Sequence, residues 1–229
     1  MPPQLTPNDL ARFIDYTLLK PEASRLDINK LCSEAREYQF YGVCVNGSRV
    51  VEAYGLLEGS GVKVSAVVGF PLGAADPDAK RYETEVAVDG GAHEIDVVLN
   101  IGRLKEGDHQ FVLRELRDIV EAADERLVKV ILETCLLTRD EKIVGCKLAV
   151  DAGAQFVKTS TGFSTANGTV EDVKLFREVV GPNVGVKAAG GIRDTRTALA
   201  MIEAGANRLG TSAGVAIVRA LANFPAAKY

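Results

Sequence analysis

The sequence predicts an α/β chain folded as a single (β/α)8 barrel, the TIM-barrel architecture, over residues 1–229. Eight short apolar runs recur at residues 13–19, 42–45, 62–70, 94–99, 128–132, 156–158, 184–188 and 208–210. Continuous apolar runs read as strands buried on both faces, the pattern of a parallel sheet covered by helices. Segments of helical periodicity lie between them, and eight such units in about 250 residues match a barrel. No G-x-G-x-x-G follows the first run and no G-x-x-x-x-G-K-[ST] occurs, so the dinucleotide and P-loop signatures of an open doubly wound sheet are missing. That open sheet is the alternative architecture.

Taken in order, the run at 13–19 is the weakest strand signal, since it carries Asp15 and Thr17 among its apolar residues. The clearest helix signal follows the fourth run. Val112, Leu113, Leu116, Ile119, Val120 and Ala123 share one face, and Arg114, Arg117, Asp118, Glu121 and Glu125 form the solvated one. Later helices open on capping signals: Thr138 with Glu141, Thr169 with Glu171 and Asp172, and Asp194 before Thr195. Three of the helix-to-strand connections repeat one form, an acidic residue before a small-residue turn: Asp89-Gly90-Gly91-Ala92, Asp151-Ala152-Gly153-Ala154 and Glu203-Ala204-Gly205-Ala206. No linker interrupts this rhythm.

Composition narrows the function classes. With 47% hydrophobic and 25% charged residues the chain is long enough for one large core. A net charge of −4 and the lack of a Lys/Arg-rich run argue against a nucleic-acid partner, so any anionic ligand must meet a local positive site. The stretch through Asp9, Arg12 and Asp15 has no apolar core of a signal peptide, and no run approaches 18 apolar residues; the expectation is a cytoplasmic chain with no membrane partner. Cys32, Cys44, Cys135 and Cys146 form no C-x-x-C pair and read as reduced thiols. With His93 and His109 the only histidines, no histidine-rich metal site can be assembled. An oxygen-only Mg²⁺ site stays open.

The chemistry concentrates where the strands end, the face on which barrels build active sites. Lys158 closes the run Ala154-Gln155-Phe156-Val157 and is followed by Thr159-Ser160-Thr161-Gly162; Lys187 repeats the pattern in Gly185-Val186-Lys187-Ala188-Ala189-Gly190-Gly191. Burial disfavours the charged form of lysine, and a neutral amine is the nucleophile of Schiff-base chemistry. A lone strand-end lysine can equally snorkel to water. On the fourth strand, Asp96 shares a side with Val98 and Asn100, so it can point inward while Ile95 and Val97 pack against helices. It is either a proton relay or a plain counter-ion. Two neighbouring ammonium groups repel, which eases loss of a proton from one of them, but spacing leaves open which amine reacts. Gly162, Gly190, Gly191 and Gly210-Thr211-Ser212 follow strands six, seven and eight, where barrels hold phosphate with backbone N–H groups; each is also an ordinary tight turn.

Seven stretches together resemble the deoxyribose-phosphate aldolases, the DeoC family of class I aldolases. They are the run at 13–19, Tyr41-Gly42-Val43-Cys44-Val45, Val67-Val68-Gly69-Phe70-Pro71-Leu72-Gly73, Glu94-Ile95-Asp96-Val97-Val98-Leu99-Asn100, Val157-Lys158-Thr159-Ser160-Thr161-Gly162-Phe163, Val186-Lys187-Ala188-Ala189-Gly190-Gly191-Ile192-Arg193, and Arg208-Leu209-Gly210-Thr211-Ser212. The resemblance implies reversible cleavage of 2-deoxy-D-ribose 5-phosphate to D-glyceraldehyde 3-phosphate and acetaldehyde. In it Lys158 carries the Schiff base, Asp96 donates and accepts protons, and Lys187 shares in proton transfer and tunes Lys158. In it the iminium serves as electron sink for a carbon–carbon cleavage, expected between the third and fourth sugar carbons. The resemblance further implies no metal or organic cofactor, and a homodimer or homotetramer as the assembly. Asp15 and Thr17 match a polar network around the second lysine, and Cys44 matches a pocket-lining position. The phosphate-binding set it implies is Gly162, Gly190, Gly191, Arg193, Gly210 and Ser212. Some members carry a lysine and a second serine where this chain has Phe163 and Ala213, which implies a weaker dependence on phosphate. Tyr229 matches a C-terminal tyrosine that reaches the active site in some members, although the tail before it differs. Two other readings share the barrel: a phosphosugar isomerase or epimerase using Asp96 and a lysine without a covalent step, and a non-catalytic phosphosugar-binding regulator.

Overall fold

A computed structural model of the chain describes residues 5–222, and Tyr229 lies outside them. Eight parallel strands close in sequence order into a barrel: β1 (Ile14–Leu18), β2 (Gly42–Val45), β3 (Lys63–Val68), β4 (Glu94–Val98), β5 (Leu127–Ile131), β6 (Phe156–Lys158), β7 (Gly185–Ala189) and β8 (Arg208–Thr211), with β8 pairing back onto β1. This is the predicted (β/α)8 architecture, and each strand lies within a few residues of its predicted place. The third is the most shortened. Its predicted end at residue 70 retreats to Val68 because Gly69 turns the chain at φ +60.

Helices cover the outside: α1 (Pro7–Ala11), α2 (Arg25–Glu37), α3 (Val50–Leu57), α4 (Pro77–Asp89), α5 (Ile101–Lys105), α6 (His109–Ala122), α7 (Arg139–Asp151), α8 (Val170–Val180), α9 (Thr195–Glu203) and α10 (Gly214–Leu221). The predicted caps form. Thr138 and Thr169 close capping boxes with Glu141 and Asp172, and Asp194 accepts from the Thr197 N–H. Each satisfies N–H groups that a helix start leaves without partners, worth about 1 kcal/mol. Among the described residues no helix is long and apolar enough to cross a membrane.

The strands divide their side chains by alternation, and the division decides where stability and chemistry reside. Outward residues such as Val43, Val64, Ile95, Val97, Val128, Val130, Val157, Val186 and Leu209 pack with the helices into one large apolar cluster. Each side chain of this size contributes roughly 1.5–3 kcal/mol on burial. The inner apolar cluster is small, comprising Leu19, Cys44 and Val67 with Phe70 packed on it. Stability therefore comes from the outer layer, and the interior can hold charged groups that an ordinary core would exclude.

Candidate active site

Inward positions on six strands place a chain of ionised groups in the barrel. Asp15 comes from β1, Glu94 and Asp96 from β4, Lys129 from β5, Lys158 from β6, Lys187 from β7 and Arg208 from β8. All are buried. Parallel register brings them level: Asp96 is paired with Lys129, Lys158 with Lys187, and Lys187 with Arg208.

Asp96 is the hub. Its Oδ2 accepts from Lys158 Nζ at 2.9 Å and from Lys187 Nζ at 2.8 Å, while Oδ1 accepts from Lys129 Nζ at 2.6 Å. Burial alone would raise its pKa, but Lys129, Lys158 and Lys187 outweigh it and hold the carboxyl well below the usual carboxylate range. The resting group is therefore an ionised carboxylate.

The three lysines differ in how completely their donors are used. Lys129 Nζ donates to Asp96 and to Ser65 Oγ at 3.1 Å and forms an ion pair with Glu94 Oε2 at 2.7 Å, so two carboxylates and a hydroxyl surround it. Lys187 Nζ reaches Asp96 and Asp15 Oδ2 at 2.5 Å. Burial works against its charge, but Asp15 and Asp96 win and hold it above the ordinary lysine range. Lys158 has Asp96 alone, and its side chain is 3% exposed where those of Lys129 and Lys187 are 0%. Spacing left the choice of amine open; access and partner count favour Lys158.

Beneath these groups Arg208 ties the floor together. Its guanidinium binds Asp15 Oδ1 at 2.5 Å and Glu94 Oε2 at 2.7 Å, and lies 3.4 Å from the centre of the Tyr41 ring. Asp15 is pulled down to about 2: burial opposes the shift, and Lys187, Arg208 and Lys129 overcome it. Among the other predicted network members, Thr17 turns its hydroxyl to the Asp15 carbonyl at 2.8 Å and does not bind Lys187. Cys44 is fully buried with Sγ 4.0 Å from Asp96 Oδ2; burial, then Asp96, raises its thiol pKa.

The predicted phosphate residues fall into two groups. Gly162, Gly190 and Gly191 lie in the loops after β6 and β7 at φ +83, +85 and +72, conformations open mainly to glycine. A Cβ on Gly162 would lie 3.9 Å from Gly190 Cα, and Asn167 packs over Gly190 and Gly191. Ser212 and Arg193 are exposed, and Ser212 precedes α10, whose N-cap Ala213 offers no side-chain acceptor. Gly210 is placed differently. It lies inside β8, paired with Ala189 and Asp15, and a Cβ there would meet Lys187 Cε at 3.3 Å. Its position corresponds to room for the lysine stem and not to a loop. Phe163 stands half-exposed beside Gly162, edge-on to Phe70 at 5.2 Å.

Sequence reasoning missed Lys129, Glu94 and Arg208 as site residues. Lys129 bore the signature used for its neighbours, an amine inside the apolar run Leu127-Val128-Lys129-Val130-Ile131. It also missed Glu133, a buried residue with left-handed backbone at the end of β5.

Residues 13–222 match the family described as DeoC/LacD family aldolase. A protein of Alkaliphilus oremlandii named deoxyribose-phosphate aldolase is 57% identical over 92% of this chain and 95% of its own length. One of the same name from Brevibacillus brevis is 58% identical, again over 92% and 95%. A deoxyribose phosphate aldolase from Aeropyrum pernix, described as having a unique tetrameric structure, superposes with a TM-score of 0.89 at 37% identity, covering 96% of this chain and 94% of that one.

Proposed function

The chain belongs to the DeoC/LacD family of aldolases and catalyses cleavage of 2-deoxy-D-ribose 5-phosphate, and we propose that it does so through a Schiff base on Lys158. One observation carries that assignment: of three interior amines bound to Asp96, Lys158 has the fewest acceptors and the only exposed surface.

The neutral amine attacks the sugar's aldehyde carbon, and the carbinolamine loses water to give an iminium. A base takes the proton from the hydroxyl on the third carbon, and the bond between the second and third carbons breaks. Its electron pair passes into an enamine while the third carbon becomes the aldehyde of glyceraldehyde 3-phosphate. Two carbons leave as acetaldehyde, so the scissile bond is this one, which corrects the expectation of cleavage between the third and fourth carbons. Protonation of the enamine and hydrolysis then release acetaldehyde and restore the amine.

Asp96 moves the protons, through a water where it does not reach the substrate. When the iminium collapses to the neutral enamine, one of the positive charges around Asp96 disappears and the carboxylate becomes easier to protonate. Lys187, held as an ammonium by Asp15 and Asp96, keeps a fixed charge beside the reacting nitrogen. No metal or organic cofactor enters this cycle. Enzyme dialysed against a chelator should keep its full rate; loss of rate restored by a divalent cation would assign the reaction to metal-dependent chemistry.

The phosphate is placed at the turns holding Gly162, Gly190 and Gly191 and at the start of α10 beside Ser212, with Arg193 nearby. Their N–H groups suit an anion, and the N-cap residue of α10, Ala213, makes no side-chain hydrogen bond to the helix. With Phe163 and Ala213 in place of charged or hydroxyl groups, binding leans on backbone donors. The ratio of kcat/KM for the phosphorylated over the plain sugar should therefore be smaller than in relatives with a lysine at position 163. A ratio as large as theirs would contradict it. Assembly as a homodimer or homotetramer agrees with the tetrameric relative and with exposed Val51, Tyr54, Tyr82 and Val86 on α3 and α4. Light scattering should give two or four times 24.5 kDa, and a monomer would refute it. Four free thiols fit a reducing cytoplasm, where cell fractionation should recover the protein; recovery from a secreted fraction would refute that.

A further inference from the structure

Six acidic side chains are buried among the described residues, and five of them, Asp15, Glu94, Asp96, Glu115 and Asp172, have a lysine or arginine partner. Glu133 has none. It is 2% exposed, and its backbone sits in the left-handed region at φ +57 and ψ +67, a conformation that costs a non-glycine residue about 1 kcal/mol or more. A strained, buried, unpaired carboxylate at the open end of the barrel needs a reason.

Its closest partners belong to one residue of the neighbouring loop, and the Cys135 thiol donates weakly to Oε1 at 4.0 Å. Both carboxylate oxygens accept from the Thr161 N–H at 3.3 Å, and Oε2 also accepts a short hydrogen bond from the Thr161 hydroxyl. That hydroxyl, its proton given to Glu133, accepts the Phe163 N–H at 3.0 Å. The amides on either side of Gly162 are thus both occupied. The Gly162 N–H between them has no acceptor among the described residues, and φ +83 sets its direction.

We infer that Glu133 is a positioning residue for the substrate's phosphate: through Thr161 it fixes the 161–163 loop so that the Gly162 amide stays free and aimed at the anion. The inference rests on the reading that the phosphate sits at these glycine turns. A carboxylate suits the task because it only accepts; a glutamine would turn a donor toward a donor.

The test is the specificity ratio, kcat/KM for 2-deoxyribose 5-phosphate over that for 2-deoxyribose, in wild type, Glu133→Gln and Thr161→Ser, with the fold checked by circular dichroism. Glu133→Gln should lower the ratio about fivefold or more, with the loss in KM for the phosphorylated sugar and kcat changed by less than about threefold. Thr161→Ser, which keeps the hydroxyl, should retain the wild-type ratio. Glu133→Asp, which keeps the charge but withdraws the oxygens by one carbon, should behave like the glutamine variant and serves if that one does not fold. Equal losses on both sugars, or a fall in kcat alone, would overturn the inference. If wild type discriminates and the variants discriminate equally well, the positioning role alone fails. A wild-type ratio near one would overturn the phosphate placement and the inference with it.

Discussion

Replacing Lys158 with alanine is expected to abolish cleavage, with kcat/KM falling by about 10⁴-fold or more, because no other group can take over the covalent step. Lys129 and Lys187 are fully buried and bound to two carboxylates each, so neither can reach a substrate carbon without dismantling the floor of the barrel. Folding should survive. The substitution removes an amine with one partner, and Asp96 keeps Lys129 and Lys187. A steady-state assay with purified, folded Lys158→Ala decides it: residual activity above a few per cent would mean that another amine carries the sugar.

The second large effect is expected from Lys187→Met. Removing this charge leaves Asp15 on Arg208 and Asp96 on Lys129 and Lys158, so the loss of stability should fall below the about 3–5 kcal/mol of a buried charge left with no partner. Catalysis should fall about a hundredfold or more. A rate within a few-fold of wild type would contradict a part for Lys187 in the cycle. Acid stability should change too. Asp15 has its pKa depressed to about 2 in the fold, so its contribution is present above the unfolded value of about 3.9 and is lost as pH falls through about 2. Taking away Lys187 weakens that depression and should shift acid unfolding, followed by circular dichroism, to higher pH.

Most of the fold was legible because both faces of each strand are buried, which writes continuous apolar runs into the sequence. The largest boundary shift, at the end of β3, comes from a turn set by backbone conformation at Gly69. The short helix α5 escaped because five residues carry too little periodicity. In the site, Lys158, Lys187 and Asp96 stood out as charges on apolar strands, and the structure places them on one carboxylate oxygen. Lys129 carried the same signal but lies lower on its strand, away from the loops that drew attention. Arg208 and Glu94 begin their strands, where charge is ordinary, and only closure of the barrel brings β8 and β4 side chains together. Glycine signals turns, so the sequence places Gly210 in a loop; in the strand it leaves space beside a lysine, a tertiary fact with no local trace. Glu133 depends on a left-handed backbone and a contact to Thr161, neither of which a sequence pattern encodes.

The central claim is that Lys158 forms a covalent bond with the two-carbon substrate. Incubating the folded enzyme with acetaldehyde and borohydride, in buffer containing a chelator, and mapping the modified peptide by mass spectrometry tests it most directly. The account predicts one irreversible two-carbon adduct on the peptide that carries Lys158, with parallel loss of activity. An intact, unmodified Lys158 in enzyme that is folded and active before treatment, or an adduct on Lys187 in its place, would contradict it.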